Sequence, residues 1–185
     1  QLAKLQASKK DLNAAKSSLA KAVAIRPDYY EALHALAMLE MGAKKHEDAL
    51  KIAHDAQSRA PRSPSGLIVE GDIYMLQQKF RESAQAYEKA LALADNGPLQ
   101  IKLHHALRRG GQAQAADERL LQWLKAHPRD IGTRYYLGEV YMQARNTRQA
   151  IDLFKAVVEL APQNAMAMNN LAWLYAQERN NLAMQ

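Results

Sequence analysis

The sequence predicts an all-helical chain of paired helices stacked side by side as a solenoid, and three observations predict it. Pro162 stands 34 residues after Pro128, and Pro61 stands 34 after Pro27, so the chain is punctuated at a fixed period. A period in the thirties is the mark of one repeated supersecondary unit. Within Ile131 to Pro162, Leu137, Gly138 and Tyr141 recur at the spacing of one helical face, and Ala150, Phe154 and Val157 do so again after a short break. No stretch alternates as a strand would. Two helices alone cannot bury both stripes, whereas stacked neighbours can.

Taken in order, residues 1–10 read as the tail of a first helix, with Leu2 and Ala3 toward the core. Residues 11–25 read as its partner, carrying Ala15, Leu19 and Ala22 inward, and Pro27 ends it. Helices are expected near 29–42 and 45–59, then 65–78 and 80–94, then 98–109 and 112–126. The clear copy supplies 131–144 and 147–160, where Gly138 lets the second helix approach and Phe154 fills the space between the pair. Asp95-Asn96-Gly97-Pro98 is the strongest breaker and Gly110-Gly111 the strongest turn between paired helices. A last helix runs from 165 to about 178, with its partner starting near Asn180. That leaves Met168, Leu171 and Tyr175 partly uncovered and predicts pairing between copies at high concentration.

Composition narrows the function classes. The 185 residues are 48% hydrophobic, enough for a continuous core, and cysteine is absent, which excludes disulfides and thiolate metal sites. No run approaches the roughly 20 apolar residues that span a bilayer. The chain carries no initiating Met and no signal segment, and its ends fall inside repeats, so it reads as a piece of a longer protein. A net charge of +6 without an aromatic stacking module gives no expectation of nucleic-acid binding. No His-Glu-x-x-His, phosphate loop, dinucleotide fingerprint or nucleophile elbow occurs. Glu70 and Asp72 are two apart on a helix and do not converge, so Glu70 reads as a charge at the edge of packing or paired with a neighbouring unit. No enzyme, metal or cofactor is expected.

Lys102, His104, His105, Arg108 and Arg109 form the densest basic cluster, and the helices over Lys4, Lys9, Lys10, Lys16, Lys21 and Arg26 are basic too. A carboxylate or phosphate is one ligand for such a cluster, and a solvated face is the simpler reading. Adjacent histidines point to different sides of a helix and make a poor metal pair.

The small, aromatic and proline slots of Ile131 to Pro162 resemble the tetratricopeptide repeat (TPR), a helix-turn-helix unit of 34 residues. Leu36, Ala37, Ala49, Ala53 and Ala56 match it in the unit ending at Pro61, and Gly71, Tyr74, Ser83, Tyr87 and Ala90 in the next, where Asp95 replaces the proline. The unit ending at Pro128 offers Leu103, Leu107, Gly111, Ala116, Leu120 and Trp123. It is one residue short, and His104 falls in a slot that wants a small residue. Glu70 departs likewise from a leucine slot. The resemblance implies a right-handed TPR superhelix, an α-α solenoid of about five repeats. As one array over 1–185 it comprises a partial repeat 1–27, repeats 28–63, 64–95, 96–130 and 131–164, and a terminal helix 165–179.

In that family the first helix of each unit lines a concave groove that binds partner proteins or peptides. Carried over by register, the groove slots hold Glu31, His34, Met38 and Met41, then Ile68, Asp72 and Met75, then Ile101, His105 and Arg108. Tyr135, Glu139 and Met142 follow, and the last helix adds Asn169 and Trp173. Thioethers and aromatics among isolated charges suit a partner with apolar anchors and polar groups. The paired Lys and Asn of chaperone-tail clamps are missing, since those places hold His34, Ile68, Ile101, Met38 and Asp72. The stretches Leu121-Gln-Trp-Leu-Lys-Ala-His-Pro128 and Asn169-Asn-Leu-Ala-Trp-Leu-Tyr175 resemble the bacterial TPR lipoproteins of exosortase (PEP-CTERM) sorting and exopolysaccharide production. That resemblance implies a non-enzymatic adaptor on the periplasmic face, held by a lipid anchor outside this segment. A cytoplasmic adaptor and a binder of an acidic polymer are the alternatives.

Overall fold

A computed structural model of the chain describes residues 2–183, and the side chains of residues 11–179. The readings that fell on the side chains of Leu2, Ala3, Lys4, Lys9 and Lys10 lie outside the described residues. Among those described there are ten helices and no strand: α1 (Leu2–Ile25), α2 (Tyr30–Gly42), α3 (His46–Arg59), α4 (Ser65–Leu76), α5 (Phe80–Leu91), α6 (Gly97–Arg109), α7 (Ala113–Ala126), α8 (Ile131–Gln143), α9 (Thr147–Leu160) and α10 (Ala165–Ala183). They form two compact units, one up to Leu99 and one from Gln100, the boundary falling in the first turn of α6.

Two expectations fail at the ends. The anticipated break near residue 10 does not occur, and α1 is one helix of 24 residues. Ser8-Lys9-Lys10-Asp11 contains neither Gly nor Pro, so nothing interrupts the i→i−4 ladder. At the other end α10 runs on through Asn180 to Ala183 instead of turning into a new helix, again with no breaker in its path.

Between the paired helices the chain turns by one device used four times. Lys44, Gln78, Gly111 and Arg145 each adopt positive φ (61°, 60°, 83° and 60°), just before the second helix begins. The next N–H reaches back five residues, from Lys45 to the Glu40 carbonyl, Lys79 to Tyr74, Gln112 to Leu107 and Asn146 to Tyr141, each at 2.9 Å. This is the Schellman closure, which satisfies carbonyls a helix end leaves open. Only the third turn uses glycine for the left-handed residue. The other three accept its steric cost.

In the first unit α2 packs on its partner α3 and on the next leading helix α4, which in turn packs on α3 and α5. Leu33, Ala37, Ala49, Ala53, Ala56, Val69 and Ile73 make the core there. Gly71 receives the Tyr87 ring so closely that an added Cβ would stand 2.4 Å from it. The Ser83 hydroxyl donates to the Gly71 carbonyl at 2.8 Å and holds the same contact. Glu70, in its leucine slot, turns to the preceding hairpin, where it accepts from Gln57 Nε2 (2.8 Å) and meets His54 Nε2 (3.2 Å). In the second unit Leu137, Tyr141, Ala150, Phe154 and Val157 lie in the core with Leu120, Trp123 and Leu174. There Gly138 faces Phe154, and an added Cβ would meet that ring at 3.0 Å.

These geometries rank three substitutions. Gly71→Ala is expected to lower stability by about 1–3 kcal/mol, because the Tyr87 ring cannot retreat without leaving its hydrogen bond, and Gly138→Ala by less. Gln78→Gly relieves a left-handed residue and is expected to raise stability by about 0.5–1 kcal/mol. Urea titrations of the three variants check the order.

Candidate functional site

The third hairpin, α6 with α7, solves its packing differently from its neighbours. Its small slot is occupied by His104 and its aromatic slot by Leu120, so the bulky ring has moved from the second helix to the first. His104 is 2% exposed. A buried imidazole needs partners at both nitrogens, and it has them. Nδ1 lies 2.9 Å from the Tyr136 hydroxyl on α8, and Nε2 lies 2.9 Å from Asp117 Oδ1 on α7. The two rings meet edge to face with centroids 5.3 Å apart. Arg108 Nη1 donates to the same Asp117 oxygen at 2.7 Å. Burial pushes the His104 pKa below the usual imidazole value, and Arg108 and His105 push the same way, against the opposing bond and charge of Asp117.

This network splits the basic cluster that the sequence suggested. His104 is inside, Arg108 is anchored at one nitrogen by Asp117, and His105 remains exposed on the next face of the helix. The pKa of His105 is lowered as well, first by partial burial and then by Arg109 and Lys102.

Beside it, α6 and α8 enclose a cleft of about 450 Å³. His105, Arg108 and Arg109 line it from α6, and Tyr136, Glu139, Val140, Gln143 and Ala144 line it from α8. Tyr136 is thus both the floor of the cleft and the ring that anchors His104. One residue round α8, Tyr135 packs edge to face on Phe154 with centroids 5.5 Å apart, and its hydroxyl accepts from Asn170 Nδ2 at 3.2 Å. Burial raises its pKa, aided by its bond to Glu139. Met142, half-buried, also packs against the core of this unit.

Residues 1–108 match the tetratricopeptide repeat-like domain, and residues 135–183 match the tetratricopeptide repeat. The chain belongs to the tetratricopeptide repeat family. No curated protein matches the sequence. Among solved structures, the thermophilic TPR protein TTC0263 of Thermus thermophilus is 19% identical, with a TM-score of 0.64 over 95% of this chain and 96% of that one. MamA is 18% identical at a TM-score of 0.59, over 90% and 98%. YrrB, described as a TPR protein with an unusual peptide-binding site, is 23% identical at 0.53, over 88% and 84%. At these identities the likeness is one of fold, all-helical hairpins stacked as a TPR solenoid.

The leading helices of this TPR chain present different chemistry in its two units. In the first, His34, Met38, Met41, Ile68 and Met75 are half-buried, and Glu31 is exposed. Met38 and Met41 pack against the core, and Met41 Sδ lies 3.3 Å from His46 Nδ1. Asp72 corrects the expectation of a groove-facing carboxylate. It is 8% exposed and accepts from the Tyr87 hydroxyl at 2.6 Å and the Tyr30 hydroxyl at 3.1 Å, with His34 Nε2 at 3.6 Å. Burial and the Asp72 charge push both tyrosine pKa values far up, so the hydroxyls stay protonated and keep donating. In the second unit Ile101 is half-buried, while Asn169 and Trp173 are exposed, Trp173 by 53%.

Tyr136, Val140 and Gln143 were missed as cleft residues. Their spacing of four and three puts them on one face of α8, rotated one residue from the expected face of Tyr135, Glu139 and Met142. The signal was present in the periodicity. Which of two adjacent faces turned toward α6 was not.

The distinctive Trp123 and His127 have packing roles here. The indole N–H donates to Asp130 Oδ2 at 2.7 Å, and the imidazole stacks on the indole with centroids 3.6 Å apart. Asp130 also caps α8, accepting from the Thr133 N–H at 3.0 Å and its hydroxyl at 2.7 Å. Burial alone would raise its pKa, but these bonds outweigh it and hold the carboxyl below the usual value.

Two tests address the His104 network. Asp117→Ala leaves the buried Nε2 and a guanidinium without their acceptor and is expected to cost about 2–3 kcal/mol by urea denaturation. The folded imidazoles of His104 and His105 take up protons less readily than unfolded ones, so the stability present above about pH 6.5 is lost as pH falls through their folded values. Stability measured from pH 7.5 down to 5 is expected to decline, and the decline to be shallower in His104→Gln.

Proposed function

We propose that this chain is a non-enzymatic scaffold that binds a protein or peptide partner along its leading helices. The observation that carries the reading is the cleft between α6 and α8, which brings basic, acidic, aromatic and aliphatic side chains together on two successive leading helices. The likeness to YrrB, a TPR protein with a peptide-binding site, supports the same reading. The same reading assigns Ile101, Tyr135, Met142, Asn169 and Trp173 to partner contact within the second unit, and His34, Met38, Met41, Ile68 and Met75 within the first, where Asp72 braces Tyr30 and Tyr87. The acidic-polymer alternative draws less support, because Glu139 stands in the same cleft as Arg108 and Arg109 and repels a uniformly acidic ligand.

Within this reading the stretches Leu121 to Pro128 and Asn169 to Tyr175 favour a role in bacterial protein sorting or exopolysaccharide export, with a lipid anchor outside the segment holding the protein on the periplasmic face. This chain holds no cysteine to carry such a lipid, and among the described residues no helix is long and apolar enough to cross a membrane. A lipobox in the full-length gene would support that placement, and its absence would favour a cytoplasmic adaptor.

The scaffold reading is tested by capturing partners from a bacterial envelope extract on the immobilised chain and on two variants. Gln143→Trp fills the cleft, and Trp173→Ala removes an exposed aromatic contact. Each is expected to reduce capture of the same protein about tenfold or more. Retention of every partner by both variants would sink the reading. Met168 and Tyr175, exposed by 41% and 46%, also support pairing of copies through α10, which light scattering at millimolar concentration would detect and a strict monomer would refute.

A further inference from the structure

The two walls of the α6–α8 cleft carry opposite charge. His105, Arg108 and Arg109 stand on α6, while Glu139 faces them from α8 between the uncharged Tyr136 and Gln143. Both sides are held in place by groups behind them. Asp117 accepts one N–H of Arg108 at 2.7 Å, which fixes a guanidinium that has five donors. Tyr135, held against Phe154 and Asn170, stands one turn before Glu139 on α8. Such preorganisation lowers the entropic cost of using these groups on a ligand.

A uniformly acidic ligand gains at the α6 wall and is repelled at Glu139. A uniformly basic one meets the reverse. An extended peptide turns successive side chains to opposite faces, so a segment threading between α6 and α8 sends neighbouring residues to opposite walls. Its backbone then lies over the Tyr136 ring and beside Gln143, whose amide offers hydrogen bonds to peptide groups. We propose that this cleft selects an extended segment of a partner protein in which an acidic residue adjoins a basic one, the acid meeting Arg108 and Arg109 and the base meeting Glu139. The proposal rests on the reading of the chain as a protein-binding scaffold and names what that scaffold recognises.

Fluorescence anisotropy with labelled, otherwise uncharged peptides that differ only in a central pair tests it. The pairs are Glu-Lys, Lys-Glu, Glu-Glu, Lys-Lys and Ala-Ala. One of the two mixed pairs is expected to bind about tenfold tighter than the three unmixed ones, a difference of about 1.4 kcal/mol, and to lose most of that advantage in half-molar salt. Arg109→Ala should weaken the preferred peptide and Glu-Glu alike, whereas Glu139→Gln should weaken the preferred peptide and Lys-Lys alike. Thermal melts of both variants matching the parent confirm that the fold is intact. Equal binding of all five peptides, tightest binding of Glu-Glu, absence of binding, or indifference to both substitutions would each overturn the proposal. If partner capture still depends on Trp173 while the peptides fail, the scaffold reading stands and this one falls. If capture by the variants is also unchanged, both fall.

Discussion

Each leading helix must lie close enough to its partner for one side chain to fill the gap between them, and that distance orders the rest of the structure. Tyr87 over Gly71 and Phe154 over Gly138 set it in two hairpins, with a ring pressed where no Cβ stands. Close packing makes the arrangement intolerant of extra volume. It also fixes how far each leading helix rotates about its axis, and so which side chains it presents. In the third hairpin the constraint is met from the other side. The imidazole of His104 fills the gap and a leucine replaces the aromatic.

That exchange has electrostatic consequences. An apolar ring needs only contact, but a buried imidazole needs hydrogen bonds, and these recruit Asp117, Tyr136 and Arg108 into one network. The network then supplies the cleft with an anchored tyrosine and an anchored guanidinium. A packing substitution and the character of the candidate site are therefore the same event. Asp72 shows the same logic in the first unit, where a carboxylate among leading-helix residues is consumed by the hydroxyls of Tyr30 and Tyr87 and so ties three helices together.

Much of the architecture was legible beforehand because helical periodicity and proline spacing are local signals. Helices α2 to α9 fall within three residues of their expected bounds, and the turn at Gly110-Gly111 carries the one left-handed glycine. The errors lie at α1 and α10, where phase within the repeat was the sole reason to expect a break and no Gly or Pro enforced one. The site was harder. His105, Arg108 and Glu139 line the cleft together with Tyr136 and Gln143, which belong to a face one residue away from the one expected.

By itself the sequence determined that the chain is helical, paired and repetitive, since spacing along the chain dictates which residues share a face. It also determined that no thiol is present, because composition alone decides that. Only the tertiary structure decided where these polar groups ended up, burying His104 and Asp72, anchoring Arg108 on Asp117 and leaving His105 at the surface. The physical reason is that the cost of burying a polar group depends on partners brought from other helices, and no local pattern records which helix will supply them.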